Sequence, residues 1–513
     1  MRSTARWCAA GAMVLAAGGA WGQTAAEAEA QGARAPVGLP EALSPQVGGL
    51  TADRAAARAV RTSLAVRASR ANIEAADASR SEAVVAMIPQ ITLSARYTRL
   101  SAITPPVLNL GALSGGSSTG QPFCVDTNGG IVLGSRTAGA ALMCPAGSAA
   151  IPTAPSTGTA SAGFSFPVIL DNFVINGTVT VPLTDIPFRL ARLYEAAGLT
   201  LEARRLDELA TRAQAGADAR VAFYEFMRAQ GQAAVAQQAL ETAQQHRADL
   251  ARFVEAGTVA RVDLLRVDAQ VAESERVVLA AREGQSLAEA QLRQRLHAPE
   301  SEAITLGEPL DGELRLPGTA RELIERAVES RPELQSLERQ SRALGASVSA
   351  TRAGMYPSLS GQFSVDVAHP NQRFTPQSQE FNTTWSATVQ ATWSLTGAFA
   401  ASAAASRLSA QRASLVAQLA QLREGTEIEV RGVWISAQTA NAAIESARRQ
   451  LVAAEESYRV RRERFLAGSA VSSDLTDAEL DLLRARLALV NANVDLREAL
   501  ARLRRAVGER EPD

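Results

Sequence analysis

The stretch Phe465-Leu-Ala-Gly468-Ser469-Ala-Val-Ser-Ser-Asp474-Leu-Thr-Asp477 lies in a segment with no proline between Pro376 and Pro512. The residues around it are those of long helices. Within it, a glycine is followed by small residues, two serines, and two aspartates three positions apart. Glycine after a helix and Ser or Asp before the next one mark a stop, a tight turn and a restart. A related stretch stands earlier, Phe253-Val-Glu-Ala-Gly257-Thr258-Val-Ala-Arg-Val-Asp263. Gly257 and Gly468 are 211 positions apart, as are Asp263 and Asp474. The chain therefore reads as two copies of one unit, each with a long helical hairpin turning at its glycine.

The spacing outside the hairpins repeats as well. Met355-Tyr-Pro357 follows Met87-Ile-Pro89 at an offset of 268. Each proline stops a helix-compatible stretch, Asp53 to Met87 in the first copy and Thr319 to Gly354 in the second. After each proline the period changes to two. Apolar or small Ile91, Leu93, Ala95 and Tyr97 alternate with polar neighbours, and so do Phe173, Ile175, Gly177, Val179 and Val181. In the second copy Leu359 to Val367 and Trp385 to Trp393 do the same. The predicted strands are about 91–99, 172–183, 358–367 and 384–394. Pro89 to Leu183 spans 94 positions and Pro357 to Leu395 only 38. The excess falls on residues 101–165, which are rich in Gly, Ser, Thr, Ala and Pro and read as a long loop or disordered insertion.

Helices fill the rest. No proline occurs from Phe188 to Ala256, and a continuous helix there would be roughly 100 Å long. Leu480, Leu483, Leu487, Val490 and Val494 recur at three and four, as a coiled-coil seam requires. The resulting division is a signal peptide at 1–22, a flexible leader at 23–50, a first repeat at 51–310, a second at 311–508 and a tail at 509–513.

The N-terminus carries Arg2 and Arg6, an apolar run to Ala20, and Ala20-Trp21-Gly22 before Gln23. That is the pattern of a cleaved secretory signal, and the run is too short to span a bilayer. Cys8 lies inside the signal without a lipidation run before it. In an oxidising compartment Cys124 and Cys144 are read as a disulfide, with two free thiols as the alternative. The formal net charge is −1, which gives no reason to expect nucleic acid as a partner. His246, His297 and His369 are isolated and lack metal-ligand spacing. No phosphate loop or nucleophile motif is present, so neither catalysis nor a cofactor is expected.

A strand with one apolar and one polar face suits a membrane barrel, with lipid outside and water inside. Tyr97, Phe173, Trp385 and Trp393 are the candidate aromatic girdle. Four strands cannot close a barrel, and open edges are not tolerated in lipid, so several chains must contribute. Three copies would supply 12 strands, four from each. The fold class expected is mainly α with a membrane β-barrel. An exported trimeric coiled-coil scaffold or adhesin without a pore is the competing reading.

The order helix, proline, strand, strand, long helix, glycine turn, helix, given twice, resembles the TolC-like family of outer-membrane efflux proteins. The resemblance covers about residues 51 to 508. It implies a homotrimer with a 12-stranded barrel in the outer membrane of a Gram-negative bacterium and a helical tunnel in the periplasm. It implies a passive duct for efflux or type I secretion, joined through a periplasmic adaptor (membrane fusion) protein to an inner-membrane pump. The family narrows its tunnel with acidic rings six and nine residues after the second turn glycine and six after the first. Those positions here are Asp474, Asp477 and Asp263; ordinary helix capping is the competing role. Gly257, Thr258, Gly468 and Ser469 would form the turns and meet the adaptor. Where some members carry an arginine and a tyrosine that latch the closed state, this chain has Ala470 and Phe465, and any polar replacement would fall to Arg261 or Arg266. Many relatives carry an N-terminal lipid, for which this chain lacks the motif.

Overall fold

The computed structural model describes residues 44–102, 108–109, 123–127, 129, 131–133, 144–150, 163–164, 169–312, 314–375 and 377–509. The expected signal peptide, 1–22, and most of the expected leader, 23–50, lie outside them. The described chain divides into two compact units. One is largely helical and comprises residues up to Arg80, Ala196–Gly345 and from Leu408 onward; the other comprises Ser81–Glu195 and Ala346–Arg407 and holds the sheets.

The helical elements, in chain order, are α1 (Ala52–Thr62), α2 (Leu64–Val85), α3 (Ala191–Glu255), α4 (Arg261–Leu296), α5 (Ala320–Ser330), α6 (Pro332–Ala353), α7 (Leu395–Leu466) and α8 (Ser472–Val507). A π-helical turn, Ile186–Leu190, leads into α3. The two stretches read as single helices, Asp53–Met87 and Thr319–Gly354, are each broken in two. The first breaks at Ser63 (φ −58°, ψ 127°) and the second at Arg331 (φ −62°, ψ 122°). These breaks stand 268 positions apart, the same offset as the two prolines. At the second break Pro332 forces the preceding residue out of helical geometry. Arg331 then turns inward: its Nε donates to the Ala506 carbonyl at 2.6 Å and its Nη1 to Thr426 Oγ1 at 3.1 Å. At the first break Ser63 Oγ accepts the Val66 amide and restarts the helix.

The core of the helical unit gathers Phe223, Met227 and Val235 of α3, Leu292 and Leu296 of α4, Val490 and Val494 of α8, and Ala52, Ala55 and Ala59 of α1. Alanines on α1 let its backbone approach the larger side chains closely. Leu306 and Leu310, in the proline-punctuated connection after α4, complete this core. The connection also pairs with the chain's early residues. The Gln46 amide donates to Leu306 O, the Leu50 amide to Thr305 O and the Gly307 amide to Leu50 O, at 2.7–2.8 Å. The last residues of the expected flexible leader are therefore docked, because their backbone groups find partners in the connection.

In the other unit β1 (Gln90–Arg99), β7 (Asp171–Val181), β8 (Ser358–His369) and β9 (Asn382–Thr392) form one antiparallel sheet in the order β1-β7-β8-β9. The register places Ile91 opposite Val179, Val179 opposite Phe363, and Phe363 opposite Ala387, so apolar positions share one face. That face is bare: Ile91 is 78% exposed, Leu93 80% and Val389 71%. The other face is polar and internally bonded. Asn176 Nδ2 donates to Asp366 Oδ1 at 2.6 Å, Thr178 Oγ1 to Asn176 Oδ1 at 2.7 Å, and the Ser364 and Ser386 hydroxyls meet at 2.8 Å. Neither β1 nor β9 has a second neighbour among the described residues. No described helix is long and apolar enough to cross a membrane.

Tyr97 and Phe173 stack in one row, ring centroids 4.7 Å apart. Trp385 is paired with Val365 in the row of Leu93 and Gly177, four residues along from Tyr97. Trp393 falls just beyond β9, which ends at Thr392, so the strand expected to 394 is shorter. Its Nε1 donates to the Met355 carbonyl at 3.3 Å. Tyr97 with Phe173, Trp385 and Trp393 thus occupy three levels of the sheet.

The stretch read as a structureless insertion at 101–165 carries short strands where it is described. A three-stranded sheet sets β3 (Phe123–Asp126) between β4 (Ile131–Leu133) and β5 (Ser148–Ala150). Two further strands, β2 (Leu108–Asn109) and β6 (Gly163–Phe164), pair with each other. A disulfide joins the buried Cys124 of β3 to Cys144, with Cα atoms 5.8 Å apart. A covalent link and backbone pairing give order to a sequence with too few apolar side chains for a core.

Phe223 is wholly buried in the helical core. Phe223→Ala removes a ring and leaves a cavity, at a cost of about 3–5 kcal/mol. Calorimetry of the full chain in detergent should show a clearly lowered unfolding temperature. A loss below about 1 kcal/mol would show that this core is not continuous.

Candidate functional site

The two hairpin turns share one backbone solution. Gly257 (φ +74°) and Gly468 (φ +70°) stand just past the ends of α3 and α7 in the left-handed region. In each, the glycine amide donates three residues back, to Val254 O at 3.0 Å or Phe465 O at 2.9 Å. The next amide donates five residues back, Thr258 to Phe253 O at 3.0 Å and Ser469 to Arg464 O at 2.8 Å. This pair of bonds satisfies carbonyls that the ending helix leaves open. The hydroxyls of Thr258 and Ser469 reinforce it, donating to those same carbonyls at 2.9 and 3.0 Å. A Cβ on either glycine would meet nothing within 4 Å, so only the positive φ requires glycine there.

The returning helices begin alike. Ala260 and Val471 occupy the N-cap positions of α4 and α8, and neither caps with its side chain. Asp263 and Asp474 are each the third helical residue, where a carboxylate favours the positive end of the helix dipole. They do not serve as caps. Asp263 lies 3.9 Å from Arg266 on the next turn of its helix. Asp474 has Asp477 at the corresponding place, and both are exposed. Their carboxylates form no ion pair or side-chain hydrogen bond among the described residues. The two turns therefore differ in charge: one carboxylate with a neighbouring arginine, against two unpaired carboxylates on one helix face.

An apolar cluster joins the turns. Phe465 is buried with Leu250, Val267 and Leu475. Its ring meets Phe253 edge-on at 5.5 Å and His246 edge-on at 5.1 Å. The imidazole of His246 is buried, with Nε2 3.2 Å from Ser472 Oγ and Nδ1 3.3 Å from Glu479 Oε2. The Tyr458 hydroxyl beside this cluster is pushed above its ordinary pKa, first by burial and then by the Glu479 carboxylate.

His246 was legible in the sequence only as an isolated histidine. Its partners lie 226 and 233 positions away, and no local spacing signals them. Phe465, noted for lacking a hydroxyl, pins the two turns through its ring instead. Arg261 and Arg266 supply no bond between the turns among the described residues. Arg461 Nη1 instead donates to the Asp474 carbonyl at 3.0 Å, within the second hairpin. Among the described residues no group of three His, Cys, Asp or Glu is placed to hold a metal ion.

Residues 323–509 match the model of the outer membrane efflux protein family. A comparison with the curated proteins finds no match. Among solved structures, the outer-membrane channel OprN is similar at 18% identity, covering 89% of each chain, with a TM-score of 0.66. CusC, described by its transmembrane channel formation, is 15% identical over 89% of this chain and 92% of its own, with a TM-score of 0.68. The open-state outer-membrane channel MtrE of Neisseria gonorrhoeae is 17% identical over 89% of this chain and 88% of its own, with a TM-score of 0.67. The resemblance to TolC-like efflux proteins is borne out in the fold and, over residues 323–509, in the sequence.

Because Phe465 touches both hairpins, Phe465→Ala should loosen both turns. Hydrogen exchange should quicken at residues 250–267 as well as at 464–475. A change confined to the second hairpin would show that the cluster does not couple them.

Proposed function

We propose that the chain is the outer-membrane exit duct of an efflux or type I secretion system. The observation that carries this reading is the four-stranded sheet with a bare apolar face and two open edges. In lipid such edges must be closed by other strands. Three copies would provide 12 strands in a closed barrel, with the bonded polar face of Asn176, Thr178, Ser364 and Asp366 toward water. The aromatic residues Tyr97, Phe173, Trp385 and Trp393 would then meet the lipid headgroups at several depths.

Transport is passive in this reading. Energy comes from an inner-membrane pump reached through a periplasmic adaptor, and the chain itself supplies no catalytic step. The exposed turns at Gly257–Thr258 and Gly468–Ser469 are the surface the adaptor meets. Asp474 and Asp477, repeated by three-fold symmetry, become rings of carboxylates that favour cations at the constriction. Asp263 adds a third ring, weakened by the nearby Arg266. In this way the second hairpin dominates the constriction.

The purified chain should form cation-selective channels in a planar bilayer. Replacing Asp474 and Asp477 by Ala should raise conductance and relieve block by multivalent cations roughly tenfold, as expected when paired carboxylates are removed from a narrow pore. Unchanged conductance and block would remove the constriction assignment. A soluble product without channel activity would remove the duct itself.

A further inference from the structure

A cavity of about 690 Å³ lies where the sheet gives way to the helices, bounded by the β7 end, the π-helical turn, the α6 end and the strand ends of β8 and β9. Thr184, Ser358, Thr392 and Ser394 line it. Ser358 and Thr392 lie within their strands and continue the polar alternation, through Ser360 and Gln362 or Thr388 and Gln390. The cavity therefore opens on the polar face of the sheet and not on the bare apolar one. Its size falls in the range of small-molecule sites.

Its chemistry is cationic and aromatic. Arg189, Arg192 and Arg352 line it against a single acid, Asp185. Arg189 is held by Asp185 through two bonds of 3.1 and 2.6 Å, and Arg192 pairs with Glu195 at 2.7 Å. Arg352 is exposed and forms no ion pair or side-chain hydrogen bond among the described residues. Two rings stand in the same wall, Phe188 at 66% and Tyr356 at 72% exposure. A free guanidinium offers a planar fork that fits a carboxylate or sulfonate. Open aromatic faces beside it stack on a flat ring.

We propose that this cavity is a transit site for aromatic organic anions, a substrate class for the duct; the proposal rests on the duct reading above. The anionic head pairs with Arg352 and the ring lies against Tyr356 and Phe188. Because the site is open, binding is weak enough for release, as conduction requires. The carboxylates proposed at the turns repel the same anion, so turns and cavity act on it in opposite senses.

The probe is 1-naphthoate, titrated into the full chain in detergent by calorimetry, with 1-naphthalenemethanol as the neutral analogue and a naphthylmethyl trimethylammonium salt as the cationic one. Naphthoate should bind, and the neutral and cationic analogues should not compete. Arg352→Ala should weaken binding about tenfold, the loss expected for one charge-assisted contact. Arg352→Lys should recover part of it, and Tyr356→Phe should bind as the parent does while Tyr356→Ala does not. Equal binding of the neutral analogue, or an unchanged affinity in Arg352→Ala, would overturn the site. Planar-bilayer recording separates the two readings. A chain that conducts but binds no naphthoate overturns the site alone. A chain that binds naphthoate but carries no current overturns the duct and with it the transit role.

Discussion

A β-sheet cannot leave backbone groups unpaired in hydrocarbon. The sheet β1-β7-β8-β9 has an apolar face suited to lipid and two edges with no strand beside them. The two properties conflict in a single chain and are reconciled only by closure with further strands. Ile91, Leu93 and Val389 are exposed for the same reason. They would be a liability in water, where large bare apolar patches drive association. In a closed barrel the same residues are the lipid-facing surface, and the bonded polar ladder of Asn176, Thr178 and Asp366 becomes the inner wall.

The hairpin turns show duplication with divergence. Backbone requirements have kept both copies alike: a positive-φ glycine, two amide bonds to the ending helix, and a hydroxyl doubling one of them. The charge of the two turns differs. Asp263 faces Arg266, whereas Asp474 is followed by Asp477 on the same helix face. Between the turns, contact combines the Phe465 ring against Phe253 and His246 with hydrogen bonds of His246 to Ser472 and Glu479.

The repeat was readable because its markers are local. Glycines, prolines and two-residue alternation report backbone geometry at their own positions, and so the sheet and both turns could be placed from sequence. The break at Ser63 was not readable, since serine is tolerated in helices and its bond to the Val66 amide is one of several it could make. Pro332 could have shown the matching break at Arg331. The strands within 101–165 were hidden because short edge pairings held by a disulfide need no apolar alternation. His246 was missed for a different reason: its partners Ser472 and Glu479 belong to the other copy. The cavity at Arg352 likewise draws on segments far apart in sequence.

Closure of the sheet is the claim on which the functional reading turns. Amide hydrogen exchange of the full chain reconstituted in bilayers measures it at the edges themselves. If β1 and β9 pair with neighbouring copies, their outward amides exchange as slowly as those of β7 and β8. If the edges exchange freely while β7 and β8 stay protected, the sheet is open and the barrel does not exist.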